Sequence, residues 1–142
     1  MRRARLAAAI IALGIAFVLQ THSDCEAQPK KESVSGPKTK TGFETLESRW
    51  LRPDGGYIIQ IRSIDSSGKI DAGYFNPRPI NVSKAQATRE SGKIKVFIEL
   101  RDTGYPGCTY ALTYDPKEDV LRGIYYQAAM KQSFDVYFTR MK

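Results

Sequence analysis

Residues 93–101 read Lys93-Ile94-Lys95-Val96-Phe97-Ile98-Glu99-Leu100-Arg101, the clearest strand pattern in the chain. Four aliphatic residues alternate there with charged ones, and only Phe97 interrupts the polar positions. Side chains of a β-strand point alternately to its two faces, so a period of two is typical of a half-buried strand. This segment therefore predicts a strand with one face in a core.

Similar alternations flank this strand on both sides and run from Trp50 to Phe138. Compact turn signals rich in Asp, Gly, Pro and Ser separate them, for example at residues 53–56 and 65–68. No stretch after residue 43 carries the i, i+3, i+4, i+7 apolar pattern of a helix, so we expect helices of a single turn at most. The sequence predicts an all-β domain of about eight antiparallel strands.

The fourth predicted strand changes phase along its length. Ile80 and Val82 share one face, whereas Ala85 falls on the other. A β-bulge inserts one extra residue and thereby exchanges the two faces of the residues that follow. The pattern therefore predicts a bulge near Ser83 or Lys84, and a short helical turn there is the alternative.

The edges of such a sheet favour closure. An open meander would expose the unpaired backbone of its first and last strands to other chains. Closing eight strands removes both edges and leaves an interior that side chains can fill. We therefore predict a single small up-and-down barrel, with an open meander or a β-sandwich as the alternative.

The first residues have the composition of a secretory signal. A basic start precedes an apolar run at residues 6–19, and a small-residue ending suits cleavage after Ala27. The run is shorter than the about 20 apolar residues that a membrane-spanning helix needs. We predict a signal peptide at residues 1–27, a flexible basic linker at 28–42 and the β-barrel domain at 43–142. The protein is then exported to the periplasm or the extracellular space.

Cleavage would change the chemistry that the chain has available. It removes His22, the only histidine, and Cys25, one of two cysteines, and leaves Cys108 as a lone thiol that we expect to be buried. Histidine is the usual general base near neutral pH and a common metal ligand. We therefore predict a protein that is not an enzyme and that binds no metal or cofactor.

The charges limit the partners. Residues 28–42 carry four lysines and one glutamate, whereas residues 43–142 carry fifteen basic and twelve acidic side chains. A nucleic-acid surface needs a basic stripe on the folded part, so the mixed domain argues against that partner. The lysines of the linker give at most a weak contact with an anionic membrane surface.

The order of the turns sorts the barrel into two ends, because odd and even connections of a meander lie at opposite ends. The end that we call the base collects both termini and the compact polar turns at 65–68, 90–92 and 115–119. The end that we call the mouth collects the turns at 52–56, 76–79, 102–107 and 128–132. The mouth holds most of the irregular chemistry, and connecting loops often carry binding sites.

Several residues at or near the mouth are candidates for ligand binding. Pro77 and Pro79 restrict the backbone and would hold Arg78 on a stiff support, where a cation suits an anionic group. Tyrosine is abundant, with eight residues, and inward tyrosines would line a semi-polar cavity. The predicted ligand-binding residues are Arg52, Tyr74, Asn76, Arg78, Asp102, Tyr105 and Tyr110.

Each of these features also has a plainer interpretation. Turn geometry alone accounts for the Pro and Gly residues, and tyrosine is a common strand residue. If they point outward, Tyr126 and Tyr137 would instead form a flat stacking surface for a sugar or a protein. For an enzyme, Arg78, Asp102 and Tyr105 are the one loop constellation worth testing.

The two ends of the strand ladder resemble the calycin group, which comprises lipocalins, avidin-like proteins and small exported inhibitor barrels. In that group a tryptophan of the first strand packs beside a basic residue that ends the last strand, and Trp50 and Arg140 occupy these structural positions here. Gly123 and Tyr125 are similar to the Gly-x-Tyr pattern of the group. Two features depart from it, since Ser48 stands where a glycine is expected and no helix follows the barrel.

The resemblance implies a barrel with a binding role and no particular substrate. We predict a non-catalytic, lipocalin-like module of the bacterial periplasm or cell envelope that binds a small amphipathic or anionic ligand at the mouth. The alternative is an exported protein-binding or inhibitor barrel that acts on an envelope protein through its loops or its N-terminal tether.

Overall fold

The computed structural model describes residues 41–142 and shows an all-β domain. The predicted signal peptide and residues 28–40 of the predicted linker lie outside the described residues. One 3₁₀ turn, Phe43–Leu46, precedes nine strands. The strands are β1 (Ser48–Arg52), β2 (Tyr57–Ile64), β3 (Ile70–Asn76), β4 (Arg78–Ile80), β5 (Val82–Glu90), β6 (Lys93–Asp102), β7 (Tyr105–Asp115), β8 (Val120–Gln127) and β9 (Gln132–Arg140). Within residues 41–142 the only helical segment falls far short of the length needed to cross a membrane.

All nine strands belong to one antiparallel sheet in the order β4-β3-β2-β1-β9-β8-β7-β6-β5. The first and last strands pair, with Trp50 opposite Arg140. On the other side, an isolated bridge joins Lys69 to Gln86, and the backbone N–H of Ala87 donates to the carbonyl of Gly68 at 2.7 Å. The sheet therefore curls into a nearly closed barrel, as predicted from the exposed edges that an open sheet would have.

The predicted fourth strand is divided into β4 and β5 at Asn81. The backbone N–H of Asn81 donates to the Asp102 carboxylate at 2.8 Å, and its side-chain amide donates to the Arg101 carbonyl at 3.0 Å. Because that N–H bonds to a side chain, the strand leaves β3 and continues along β6. This break at Asn81 raises the strand count from eight to nine. A register shift between Val82 and Lys84 places the predicted bulge at Ser83, within β5.

The core follows the alternation. The inward residues of β6 are Ile94, Val96, Ile98 and Leu100, and all four are buried. Cys108 on β7 is buried with a free thiol, as predicted. Toward the base the wholly buried side chains of Leu46, Trp50, Leu121 and Phe138 fill the interior. Burial of these apolar surfaces stabilises the barrel and fixes the register of each strand, because a slip of one residue would expose them.

The base turns are built by local hydrogen bonds. In the turn between β2 and β3 the Asp65 carboxylate accepts from the backbone N–H groups of Ser67 at 2.9 Å and Lys69 at 3.0 Å. Gly68 follows at φ 83, in the left-handed region. A Cβ atom on Gly68 would lie 2.1 Å from the Ala87 carbonyl oxygen, so glycine lets the two sides of the barrel meet here.

Candidate functional site

A cavity of about 310 Å³ opens at the mouth of the barrel. Five of the seven predicted ligand-binding residues line it, and they come from three strands: Arg52, Tyr74, Asn76, Tyr105 and Tyr110. Tyr74 and Tyr110 are almost wholly buried at its floor, whereas the others stand in its walls. The cavity has a volume at the small end of the about 300 to 1,000 Å³ that is usual for ligand pockets.

The other two predicted residues do not line the cavity. Arg78 lies opposite Asn76 in the pairing of β3 and β4 and is exposed. The Asp102 carboxylate accepts from the backbone N–H groups of Asn81 and Thr103, which lower its pKa from the usual range. Asp102 therefore organises the break between β4 and β5. Of the loop constellation considered for catalysis, only Tyr105 faces the cavity.

Five lining residues were not among those predicted: Tyr57, Gly104, Tyr125, Gln127 and Phe134. The sequence does carry a signal for the three aromatic ones. Each continues the inward alternation of its strand at the mouth end, as Tyr125 does after Leu121 and Gly123 on β8. Combining the strand phase with the position of the nearest mouth turn would have identified them.

A pair of tyrosine hydroxyls forms the floor, and we call it the hydroxyl pair. The hydroxyl oxygens of Tyr74 and Tyr110 lie 2.9 Å apart, and the two rings pack with centroids 5.7 Å apart. Burial is the main cause that raises the pKa of both phenols, and the hydrogen bonds of Tyr110 with Tyr74 and Arg52 oppose this rise at Tyr110. Both side chains are therefore neutral near pH 7 and can donate as well as accept hydrogen bonds.

Arg52 brings a guanidinium group into the cavity wall, with its side chain 13% exposed. Its Nε and Nη2 donate to the Asp54 carboxylate at 2.7 and 2.8 Å, and Nη1 donates to the Tyr110 hydroxyl at 3.5 Å. The guanidinium carbon lies 4.7 Å from the ring centroid of Tyr57 and 5.7 Å from that of Tyr125. Desolvation acts to lower the pKa of Arg52, but the hydrogen bonds to Asp54 and Tyr110 outweigh it, and the net shift is upward.

Aromatic rings make up much of the remaining wall. Tyr125 stacks on Tyr110 with ring centroids 4.6 Å apart, and Phe134 continues the stack at 6.4 Å from Tyr125. Phe134 is 40% exposed at the rim. Across the cavity, the Asn76 amide donates to the Tyr105 hydroxyl at 2.5 Å. The cavity therefore combines flat apolar surfaces with polar groups at fixed positions.

The base carries a second arginine over an aromatic ring. The Arg140 guanidinium lies 4.3 Å from the Trp50 ring centroid and donates to the Asp119 carboxylate at 2.7 and 2.9 Å. It also donates to the Thr45 carbonyl at 2.7 Å, and the Trp50 indole N–H donates to the Leu46 carbonyl at 2.9 Å. These bonds tie the 3₁₀ turn to the paired strands β1 and β9, and Arg140 packs beside Trp50 at the base.

A second cavity, of about 740 Å³, lies at the base beside the turns at 90–92 and 115–119. Among the residues that the structure describes, no group of three or more His, Cys, Asp or Glu side chains is placed to hold a metal ion. The outer face of β8 and β9 instead exposes Ile124, Tyr126 and Tyr137, and we call these residues the outer aromatic face. Comparison with known proteins found no match to a family model, to a curated protein or to a solved structure.

Proposed function

We propose that this domain is a non-catalytic binding module of the bacterial periplasm or cell envelope and that its mouth binds a small amphipathic or anionic ligand, as in a lipocalin-like barrel. The cavity at the mouth carries this proposal, because it combines a guanidinium group, phenol hydroxyls and flat aromatic walls in one concave site. Pockets that hold small ligands have this composition, in which a few polar groups orient a largely apolar molecule.

The packing of the rest of the interior favours a compact ligand. Wholly buried side chains fill the barrel toward the base, and the cavity occupies the mouth. A long acyl chain would need the interior to be hollow along the axis. We therefore expect a short ligand that enters from the mouth and stops at the hydroxyl pair.

Thermal unfolding with panels of metabolites, lipids and haem tests the proposal. A ligand stabilises the folded state by an amount that grows with its concentration, so binding raises Tm. Gln127→Trp would fill the cavity from its rim and should abolish the shift. Ser133→Trp is the matched control, because Ser133 pairs with Tyr126 on the outer face of β8 and β9 and does not line the cavity. Loss of the shift in both variants, or in neither, would contradict a site at the mouth.

Export is tested separately. The predicted cleavage leaves Gln28 as the first residue of the mature chain, so intact mass and N-terminal sequencing of the protein from its native cells should start there. Recovery of the mature chain in the envelope or culture fluid fits the proposal. A full-length chain with Met1 in the soluble cytoplasmic fraction would contradict it.

The outer aromatic face supports a second candidate function, which is binding of an envelope protein. Ile124, Tyr126 and Tyr137 are 40%, 37% and 45% exposed, although large apolar and aromatic side chains are usually buried. Aromatic residues are enriched in the cores of protein interfaces. In this alternative, Tyr126→Ser with Tyr137→Ser should eliminate a partner recovered from envelope extract, whereas Gln127→Trp should retain it. The reverse result would assign the partner to the mouth loops.

A further inference from the structure

The hydrogen bonds at the cavity floor leave one proton without an acceptor. Arg52 donates to the Tyr110 oxygen, and one hydroxyl of the hydroxyl pair donates to the other. Two phenols carry two hydroxyl protons, and the bond between them uses one. Whichever phenol is the donor, the second proton has no acceptor in its hydrogen bonds with residues 41–142. The floor therefore offers one hydroxyl donor to the cavity.

Tyr105 and Arg52 add further donors. The Tyr105 oxygen accepts from the Asn76 amide, so its own proton remains available. A guanidinium group has five N–H donors, and Arg52 uses three of them on Asp54 and Tyr110. The floor and wall therefore hold several donors that have no acceptor among residues 41–142.

Arg52 is the one charged residue among those that line the cavity. No Asp or Glu side chain is among the lining residues, which all belong to the described part of the chain. Asp54 neutralises Arg52 only in part, because its side chain is 57% exposed on the solvent side, whereas that of Arg52 is 13% exposed. Water screens an exposed charge more than a buried one. A ligand at the floor therefore meets donors and positive potential.

The walls above the floor are flat. The rings of Tyr110, Tyr125 and Phe134 form one continuous stack that ends at the rim, with interplanar angles of 27° and 26°. Such a stack offers ring faces and edges to an aromatic body, for which offset stacking is favourable. A volume of about 310 Å³ limits that body to one or two rings.

We propose that the ligand is a small aromatic carboxylate that enters the mouth carboxylate first. This inference rests on the proposed function and specifies its ligand class. The carboxylate accepts hydrogen bonds from the hydroxyl pair and from a remaining N–H of Arg52, while the ring lies against Tyr125 and Phe134. In the hydrogen bond between Arg52 and the carboxylate, the donor and the acceptor are both charged, which makes the bond stronger than one between neutral groups. The site should therefore bind the acid much more tightly than a neutral analogue.

Calorimetric titration of the whole mature chain, which starts at Gln28, tests this inference. The probes are benzoate and indole-3-acetate, their methyl esters, and octanoate as an acid without a ring. We expect each aromatic acid to bind about tenfold or more tightly than its ester, because the ester lacks the charge that Arg52 recognises. We also expect octanoate to bind more weakly than the aromatic acids.

Variants locate the effect at the floor. Tyr74→Phe and Tyr110→Phe should each reduce the ratio of acid affinity to ester affinity about tenfold, because each removes a hydroxyl of the pair. Tyr137→Phe on the outer aromatic face is the control and should leave the ratio unchanged. The ratio is informative even for a destabilised variant, because partial unfolding lowers both affinities equally.

The outcomes separate the two proposals. If esters bind at the mouth as tightly as acids, or if octanoate binds more tightly than both, the inference is wrong and the proposed function stands. If no probe and no compound of the wider panels binds, both are wrong. Equal ratios in the wild type and both floor variants would also overturn the inference.

Discussion

The mouth and the base of this barrel each combine an arginine, an aromatic ring and an aspartate, and they use this combination in different ways. At the base, Arg140 lies over Trp50 and binds Asp119, and at the mouth Arg52 lies over Tyr57 and binds Asp54. Arg140 extends its remaining bonds to backbone carbonyls of the 3₁₀ turn. Arg52 instead reaches a tyrosine hydroxyl beside a cavity.

The difference shows that an arginine that lies over an aromatic ring and pairs with an aspartate does not by this arrangement alone form a ligand-binding site. At the base, four of the five guanidinium donors of Arg140 meet protein acceptors, and the aromatic partner has no exposed surface. At the mouth, the same chemistry leaves donors and ring faces that protein atoms do not cover. The base therefore holds the fold together, whereas the mouth keeps interactions available for a ligand.

We expect the largest difference in stability between the base and the mouth when an aromatic residue of each is replaced. Trp50→Ala should lower the free energy of unfolding by about 3 to 5 kcal/mol, because it creates a large cavity in the core. Phe134→Ala at the rim should lower it by less than about 1 kcal/mol, because the side chain is already partly exposed. Urea unfolding measures both values. Similar losses in the two variants would show that the mouth is as important for stability as the base.

The arginines should differ by a smaller amount. Arg140→Met removes a cation-π contact and charged hydrogen bonds to Asp119 and Thr45, and we expect a loss of about 2 kcal/mol. Arg52→Met should cost about 1 kcal/mol, because its ion pair is with the exposed Asp54. The same urea measurements apply. A larger loss for Arg52 would reverse the roles given to the two ends.

The smallest contrast concerns acid stability. Hydrogen bonds from Arg140 lower the pKa of Asp119 below its ordinary value of 3.8 in the folded chain. The ion pair of Asp119 therefore stabilises the fold fully at a pH above the ordinary pKa of the carboxyl. This stabilisation is lost as the pH falls through the lower pKa that Asp119 has in the folded chain. Asp119→Asn should lose less stability than the wild type between pH 7 and pH 3, as measured by urea unfolding.

Asp54 provides the matched comparison at the mouth. Arg52 also lowers the pKa of Asp54, so Asp54→Asn should change the acid sensitivity in the same direction. We expect a smaller change than for Asp119→Asn, because Asp119 accepts an additional hydrogen bond from the Tyr114 hydroxyl. Equal acid sensitivity in the wild type and Asp119→Asn would contradict a structural role for this carboxylate.

The predictions from the sequence were most reliable where a local pattern has one physical solution. The alternation of β6 predicted its buried face, and the phase change after Val82 predicted the bulge at Ser83. The division of the fourth strand at Asn81 was not predicted, because it depends on the Asp102 carboxylate of a different hairpin. Such a bond between distant segments leaves no periodic signal in either segment.

The outline of the candidate site was predicted from the order of the turns, because odd and even connections lie at opposite ends of the barrel. Arg52, Tyr74, Asn76, Tyr105 and Tyr110 come together at the mouth because their strands end at the same side of the sheet. Whether a side chain then faces the cavity depends on local bonds, and Asp102 bonds instead to the break in the fourth strand. Turn parity determines the end of the barrel at which a residue lies but does not determine its hydrogen-bond partners.

The sequence by itself determined the fold class, because a side-chain period of two, interrupted by turn residues, is compatible with strands and with little else. It also determined which end of the meander each connection occupies. Only the tertiary structure decided that the interior is filled at the base and hollow at the mouth. It also decided that Arg140 uses four of its five donors on protein acceptors, whereas Arg52 uses three and keeps two beside a cavity. Packing and hydrogen bonding of this kind join residues far apart in the chain, so no local pattern records them.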